Sequence, residues 1–205
     1  MAIGEKERLA LRMDREIGLQ MDTIIEKVIR LARKYELGED ETDNANSPFK
    51  NVLNVSVEPS SSLEVTKGFI RYQTGRKGAS KIWKKEKFAD SLVIALEGLR
   101  QDADSILTQI EKSEKEKAGN GEESSNALVK YITDNRPVIQ RSLHLQLAQL
   151  YLGYLSREHI ASKGGVPGQL EPEEENAAVN SVDKRPNQSK RNSPTPKKPS
   201  KKGRR

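Results

Sequence analysis

Hydrophobic residues recur at three- and four-residue steps through three long stretches of the chain, with charged residues between them. The first stretch covers about residues 6 to 35 and includes Leu9, Ile17, Ile24 and Val28. This spacing places the apolar side chains on one face of an amphipathic helix. We therefore predict an N-terminal helix over residues 1–36, followed closely by Gly38.

The second stretch has the strongest periodicity and runs from Ser80 to about residue 114, with Leu92, Leu99 and Ile106 among its apolar positions. We predict one long helix here. The hydrophilic segment "EKSEKEKAGNGEESSN" follows and predicts a linker, with a short helix over about residues 127 to 133.

The third stretch starts at Pro137, a residue favoured at the first helical position, and reaches about residue 160. Leu143, Leu147, Leu150 and Tyr154 form its main stripe, and further apolar residues widen that stripe. A helix that is apolar around so much of its circumference belongs at the centre of a bundle or in a subunit contact.

The segments between these stretches carry weaker signals. The β-branched residues of "FKNVLNVSVE" at 49–58 predict a short strand or an extended packed segment. Ser61 and Glu64 resemble a capping box, which predicts a helix from there to about Gly75. The fold class is therefore all-α: a small helical bundle with the helix at 1–36, a loop or extended connector at 37–59 and a helical core domain at 60–161.

Residues 162–205 are rich in Gly, Pro, Ser and charged residues and predict a disordered tail that is basic at its end. No run of about eighteen apolar residues suggests a membrane helix. The start of the chain is charged from Glu5 onward, unlike a secretory signal, and the absence of cysteine suits a reducing compartment. We expect a cytoplasmic protein without membrane contact.

Charge is distributed unevenly along the chain. The net charge is +6, but residues 184–205 hold ten Lys or Arg and no acidic residue, so residues 1–183 carry −4. Within this acidic body, residues 67–87 hold eight Lys or Arg and a single acid, Glu86. We call residues 67–87 the basic corner. Such a local charge favours an anion-binding surface, and the alternative is a solvated helix end.

Eight residues of the basic corner are candidates for binding nucleic acid: Lys67, Arg71, Gln73, Arg76, Lys77, Lys81, Lys84 and Lys85. We predict that the cations contact phosphates with little reading of base sequence, and that the N-terminus of a helix beginning near Ser80 adds backbone donors. Gln73 is alternatively a polar rim residue, and we predict Trp83 as a core anchor rather than a stacking platform. The segment "GRKG" also fits the G-x-x-G loop of KH domains, although the strand that such a domain requires is not indicated.

Catalytic chemistry has little support in the sequence. His144 and His159 lie fifteen residues apart without carboxylates at metal-ligand spacing, and the other carboxylates are dispersed through charged helices and loops. We therefore expect no enzyme, no cofactor and no metal site.

The segment "FIRYQTGRKG", the long helix after it and the final "LHLQLAQLYLGYLSRE" helix resemble the small subunit of type III CRISPR effector complexes, the Csm-type small subunit family. The resemblance covers about residues 60 to 160. It implies an all-α bundle whose copies stack along guide RNA and target and contact the target backbone. The resemblance matches Arg71 and Arg76 to basic or near-motif positions of the family, and Lys77 and Lys81 follow by proximity alone.

The expected function is therefore a non-catalytic, RNA-binding small subunit of a type III CRISPR interference complex. Its expected partners are guide RNA, single-stranded target RNA or DNA, the other effector subunits and further copies of itself. The alternative is a helical adaptor or interaction protein whose basic, disordered tail binds nucleic acid or directs localisation.

Overall fold

The computed structural model describes residues 4–38, 47–119 and 123–163. In chain order the helices are α1 (Glu5–Lys34), α2 (Phe49–Ser56), α3 (Leu63–Gly75), α4 (Phe88–Gly119) and α5 (Glu123–Lys163). A short 3-10 helix over Lys81–Lys84, which we call the 3-10 turn, lies between α3 and α4. Every regular element in these three ranges is helical, which confirms the predicted all-α bundle.

The longest helix, α5, packs against α1, α2 and α4 and thus lies centrally in the bundle, as its apolar circumference predicted. Leu143, Leu147, Tyr151 and Leu155 are buried and follow one another at four-residue steps. They form a single stripe along the helix. The buried stripe differs from the predicted one, because Leu150 and Tyr154 are only half-buried.

Helix α1 confirms the N-terminal helix, with Leu9, Ile17, Ile24 and Val28 all buried. It packs against α4 as well as α5. Between α1 and α4, Lys27 Nζ lies 2.7 Å from an oxygen of the Asp102 carboxylate.

Gly38 brings the end of α1 against the end of α5. Its φ is +101, in the region that favours glycine, and a Cβ placed there would lie 2.9 Å from Ser162 Cβ and from the backbone nitrogen of Lys163. Both the backbone conformation and the close approach therefore require glycine at this position.

The predicted loop or extended connector at 37–59 is wrong over its second half, where residues 49–56 form α2. Phe49, Val52 and Ser56 are buried at three- and four-residue spacing, and α2 packs on α3 and α5. This tertiary contact outweighs the β propensity of the valines. Because α1 and α2 share the core of the later helices, no domain boundary falls at residue 60.

The predicted linker before Pro137 is wrong over residues 111–119 and 123–126, which are helical, and residues 120–122 lie outside the described residues. The predicted short helix at 127–133 is helical but is part of α5, which begins at Glu123 and passes through Pro137 without ending. Leu128 and Ile132 before the proline and Ile139 after it are all buried. Burial on both sides holds the helix together where proline lacks an amide for the helical hydrogen bond.

The predicted disordered tail begins inside α5, which includes residues 162 and 163. Residues 164–205 lie outside the described residues, so the predictions for them stay predictions. None of the described helices has a stretch long and apolar enough to cross a membrane.

Candidate nucleic-acid interface

The basic corner begins on α3. The helix starts after Ser62, whose Oγ accepts a hydrogen bond from the backbone nitrogen of Val65 at 3.3 Å, one residue later than the predicted cap at Ser61. It ends at Gly75, as predicted. Gly78, with φ +76, then turns the chain in a conformation that glycine adopts without strain.

The predicted long helix from Ser80 is interrupted near its start. The 3-10 turn ends at Lys84, and α4 begins only at Phe88. Between them, Lys87 has φ 59, a left-handed conformation that a right-handed helix cannot continue through. The predicted helix N-terminus at Ser80 is therefore wrong, because a single 3-10 turn does not provide the dipole of a long helix.

Five of the predicted cations are exposed at the surface: Arg71, Arg76, Lys77, Lys81 and Lys84. Tyr72 follows Arg71 on α3 and is 56% exposed, with its ring 5.8 Å from that of Phe69. Cations beside an exposed aromatic ring provide phosphate contacts and a stacking face for a base, which is how proteins bind single strands without reading sequence.

Lys67 does not belong to this exposed surface, contrary to the prediction. It is only 7% exposed, and its Nζ lies 2.6 Å from Glu64 and 2.7 Å from Glu97. The hydrogen bond from Lys67 to Glu64, and next in importance the one to Glu97, raise the pKa of Lys67. The hydrogen bond between Lys67 and Glu97 also lowers the pKa of Glu97. Its charge is neutralised within the protein, so it is not available to a phosphate.

The side chain of Lys85 also binds within the protein. Its Nζ donates a hydrogen bond to the backbone oxygen of Tyr35 at 2.9 Å, at the end of α1 where helix carbonyls lack partners. The Tyr35 hydroxyl in turn donates to the backbone oxygen of Lys87 at 3.1 Å. These contacts make Lys85 an anchor that holds the basic corner to α1, and its binding of nucleic acid stays a prediction.

Trp83 is a core residue, as predicted. It is 3% exposed, and its ring lies 5.6 Å from the ring of Phe49 and 5.7 Å from that of Phe88. Gln73, by contrast, is not a rim residue, because it is only 2% exposed. The aromatic cluster around Trp83 therefore fixes the 3-10 turn against α2 and α4.

A cavity of about 430 Å³ lies between α2 and the basic corner. Gln73 and Arg76 are the predicted binding residues that the fold brings together in its wall, where they meet Lys50, Asn51 and Asn54 of α2. The described residues that line it include no Asp or Glu. The arrangement combines amide hydrogen-bonding groups with two cations.

The residues that α2 contributes to the cavity were not among the predicted site residues, because residues 37–59 were predicted to form a connector. The spacing of Phe49, Val52 and Ser56, directly after Pro48, fits a short helix with one buried face. That pattern would have placed Asn51 and Asn54 together on a different face of the same helix.

The two histidines are packing residues within the described bundle. His144 Nε2 lies 2.7 Å from the backbone oxygen of Leu96. His159 is buried, and its ring meets the ring of Phe49 edge to face at 5.4 Å. Both rings are therefore more deeply buried than residues at a surface or a subunit interface.

Comparison of the chain with protein-family models, with curated proteins and with solved structures finds no match. The resemblance to the Csm-type small subunit therefore remains a prediction from the sequence motif and the helix order.

Proposed function

We propose that this protein is a non-catalytic subunit that binds single-stranded RNA along its phosphate backbone through the exposed part of the basic corner. The observation that carries the proposal is that five cations of the basic corner and the ring of Tyr72 are all exposed. These cations are Arg71, Arg76, Lys77, Lys81 and Lys84. These cations stand on a body that is otherwise acidic. Such a surface attracts a polyanion at one place and repels it elsewhere.

The resemblance of "FIRYQTGRKG" and the later helices to the Csm-type small subunit supports a more specific form of this proposal. In that form the protein is the small subunit of a type III CRISPR interference complex. Several copies line up along guide RNA and single-stranded target RNA beside other effector subunits, and base pairing supplies the sequence choice.

The proposal is tested by titrating labelled single-stranded RNA with the full chain across a salt series and following fluorescence anisotropy. The ten basic residues of 184–205 are first changed to Gln, because they would bind RNA whatever the bundle does. In this background we expect Arg76→Glu, Lys77→Glu and Lys84→Glu together to weaken binding strongly. The slope of log K against log salt should become shallower by about 2, since each phosphate contact on a single strand contributes about 0.7.

The matched control changes Lys112, Lys115 and Lys130 to Glu, which alters the net charge by the same amount at exposed positions of α4 and α5. It should leave the slope almost unchanged. If both triple variants weaken binding equally, overall charge explains the binding. The basic corner is then a solvated helix end, and the adaptor alternative is favoured.

A separate measurement tests whether several copies of the protein assemble along one RNA. Native mass spectrometry of the full chain with single-stranded RNA of increasing length should show the number of bound copies rising in regular steps. A single copy on every length would contradict stacking of copies along RNA while leaving backbone binding intact.

A further inference from the structure

The cavity between α2 and the basic corner contains two buried polar groups that the rest of the fold does not use. Gln73 is 2% exposed, and its Nε2 has no hydrogen-bond partner within the described residues. The Oγ of Ser80 is buried and equally without a partner there. Native proteins rarely leave buried donors unsatisfied, because each unmade hydrogen bond costs free energy, and a bound molecule that supplies the partners would remove that cost.

The wall of the cavity supplies further groups of the same chemistry. Asn51 and Asn54 lie three residues apart on α2 and both line the cavity. With Gln73, they place three side-chain amides around one space, and each amide offers both donors and an acceptor. Paired donors and acceptors of this kind match the hydrogen-bonding edge of a nucleotide base.

Two cations complete the cavity. Arg76 and Lys50 line it and are both exposed, so they stand where the cavity meets solvent. No carboxylate of the described chain lies in the lining to oppose them. The volume of about 430 Å³ falls in the range of about 300–1,000 Å³ that small-molecule sites occupy.

We propose that this cavity binds one nucleotide, with the base held by Asn51, Asn54 and Gln73 and the phosphate held by Arg76 and Lys50. The inference extends the proposed function, on which it rests, from backbone contacts to capture of one base out of the strand. Exposed Tyr72 and Lys77 then contact the neighbouring nucleotides. The same chemistry fits a nucleotide within a strand and a free mononucleotide.

Trp83 makes occupancy of the cavity directly measurable. It is the only tryptophan in the sequence, and it lines the cavity. A ligand that enters should change its fluorescence, whereas RNA that touches only the exposed cations should not. The experiment therefore follows Trp83 emission of the full chain, corrected for nucleotide absorbance, during titration with each of the four nucleoside monophosphates, with single-stranded RNA and with inorganic phosphate.

We expect a saturable change in emission with mononucleotide or RNA and none with inorganic phosphate at the same ionic strength. Gln73→Met should weaken the response about five- to tenfold, as loss of one hydrogen bond does. Asn54→Leu should act in the same direction. These variants keep the net charge, and Gln73→Met removes an unsatisfied buried amide, so the protein should remain folded by circular dichroism. Gln109→Met, an exposed amide of α4, is the matched control and should change nothing.

A response to RNA but to no mononucleotide supports the site and assigns it to a nucleotide within a strand. The proposal is overturned if inorganic phosphate gives the same response, if neither RNA nor nucleotide changes the emission, or if Gln73→Met binds like the unmodified chain. If anisotropy shows RNA binding while Trp83 emission does not change, the nucleotide site in the cavity is rejected and the proposed function stands. A Trp83 response to mononucleotides without RNA binding at the corner would reject the proposed function alone.

Discussion

Where α1 begins and α4 ends, several cations surround one buried carboxylate, whereas at the basic corner cations of the same kinds stand exposed. Glu114 of α4 is fully buried, and its carboxylate lies 3.1 Å from Arg12 and 2.8 Å from Lys117. Ser125 of α5 donates a hydrogen bond to it at 3.0 Å. We call Glu114 and these contacts the carboxylate cluster. Through Glu114 the cluster joins α4 to α1 by the charge of Arg12 and to α5 by the hydroxyl of Ser125.

At the basic corner, Arg76, Lys77 and Lys84 are exposed. Paired and exposed cations occur even within the basic corner itself. Lys67 is paired with Glu64 and Glu97 on the inner side of α3. The number of cations in a stretch therefore does not decide whether the stretch can bind phosphate. The positions of the carboxylates in the folded chain decide it.

The largest effect should come from breaking the carboxylate cluster. Glu114→Ala leaves Arg12, Lys117 and Ser125 without their buried partner, so the free energy of unfolding should fall by about 3 kcal/mol. Urea unfolding followed by circular dichroism measures it. Glu116→Ala, an exposed position on the same helix, should stay within about 0.5 kcal/mol of the unmodified protein. Equal effects of the two substitutions would show that the cluster contributes nothing.

The cluster should also make stability depend on pH. Burial by itself would raise the pKa of Glu114, but hydrogen bonds from Lys117 and Ser125 and the nearby Arg12 charge hold it below its ordinary value of 4.5. Because the pKa is lower in the folded state, this contribution is complete above pH 4.5 and is lost as pH falls through the folded-state pKa. The urea midpoint should therefore fall less on acidification in Glu114→Gln than in the unmodified protein. Parallel curves for the two proteins would contradict this pKa shift.

A smaller effect, on RNA affinity, is expected from substitutions of Tyr72. They test whether the surface binds RNA by base stacking as well as by charge. Tyr72→Ala removes the exposed ring and should weaken binding of single-stranded RNA about tenfold, since stacking of one base contributes about 1–3 kcal/mol. Tyr72→Phe keeps the ring and should retain the affinity. Anisotropy in the background with a neutralised tail measures both variants. Equal weakening by the two substitutions would rule out stacking as the cause.

The smallest effects should come from replacing single lysines, one paired within the protein and one exposed. The paired lysine should affect stability, and the exposed lysine should affect RNA binding. Lys67→Met should lower the free energy of unfolding by about 0.5–1 kcal/mol, because its partners Glu64 and Glu97 are themselves half-exposed or more, and should leave RNA affinity unchanged. Lys77→Met should do the opposite: stability stays the same and the salt slope becomes shallower by about 0.7. Urea unfolding and RNA titrations of both variants provide the measurements. A loss of RNA affinity in Lys67→Met would place that lysine back in the binding surface.

Long, regular segments were predictable, and short or interrupted ones were not. The periodicity of α1 and of most of α4 follows directly from the spacing of their apolar residues. Helix α2 was not predicted because its eight residues make only about two turns, too few to show a clear helical period. Its β-branched residues favoured a strand instead. The break at Lys87 was missed because no residue there signals a left-handed backbone, which the docking of Tyr35 on Lys87 stabilises.

The helical class, the three long amphipathic stretches and the concentration of cations in residues 67–87 can be read from the order of residues alone. The tertiary structure alone decided which of those cations face solvent. Lys67 meets Glu97 across thirty residues and Lys85 meets Tyr35 across fifty, whereas Arg76 meets α2 across the cavity. Pairing between charges depends on distance in space, and only packing of the helices sets that distance.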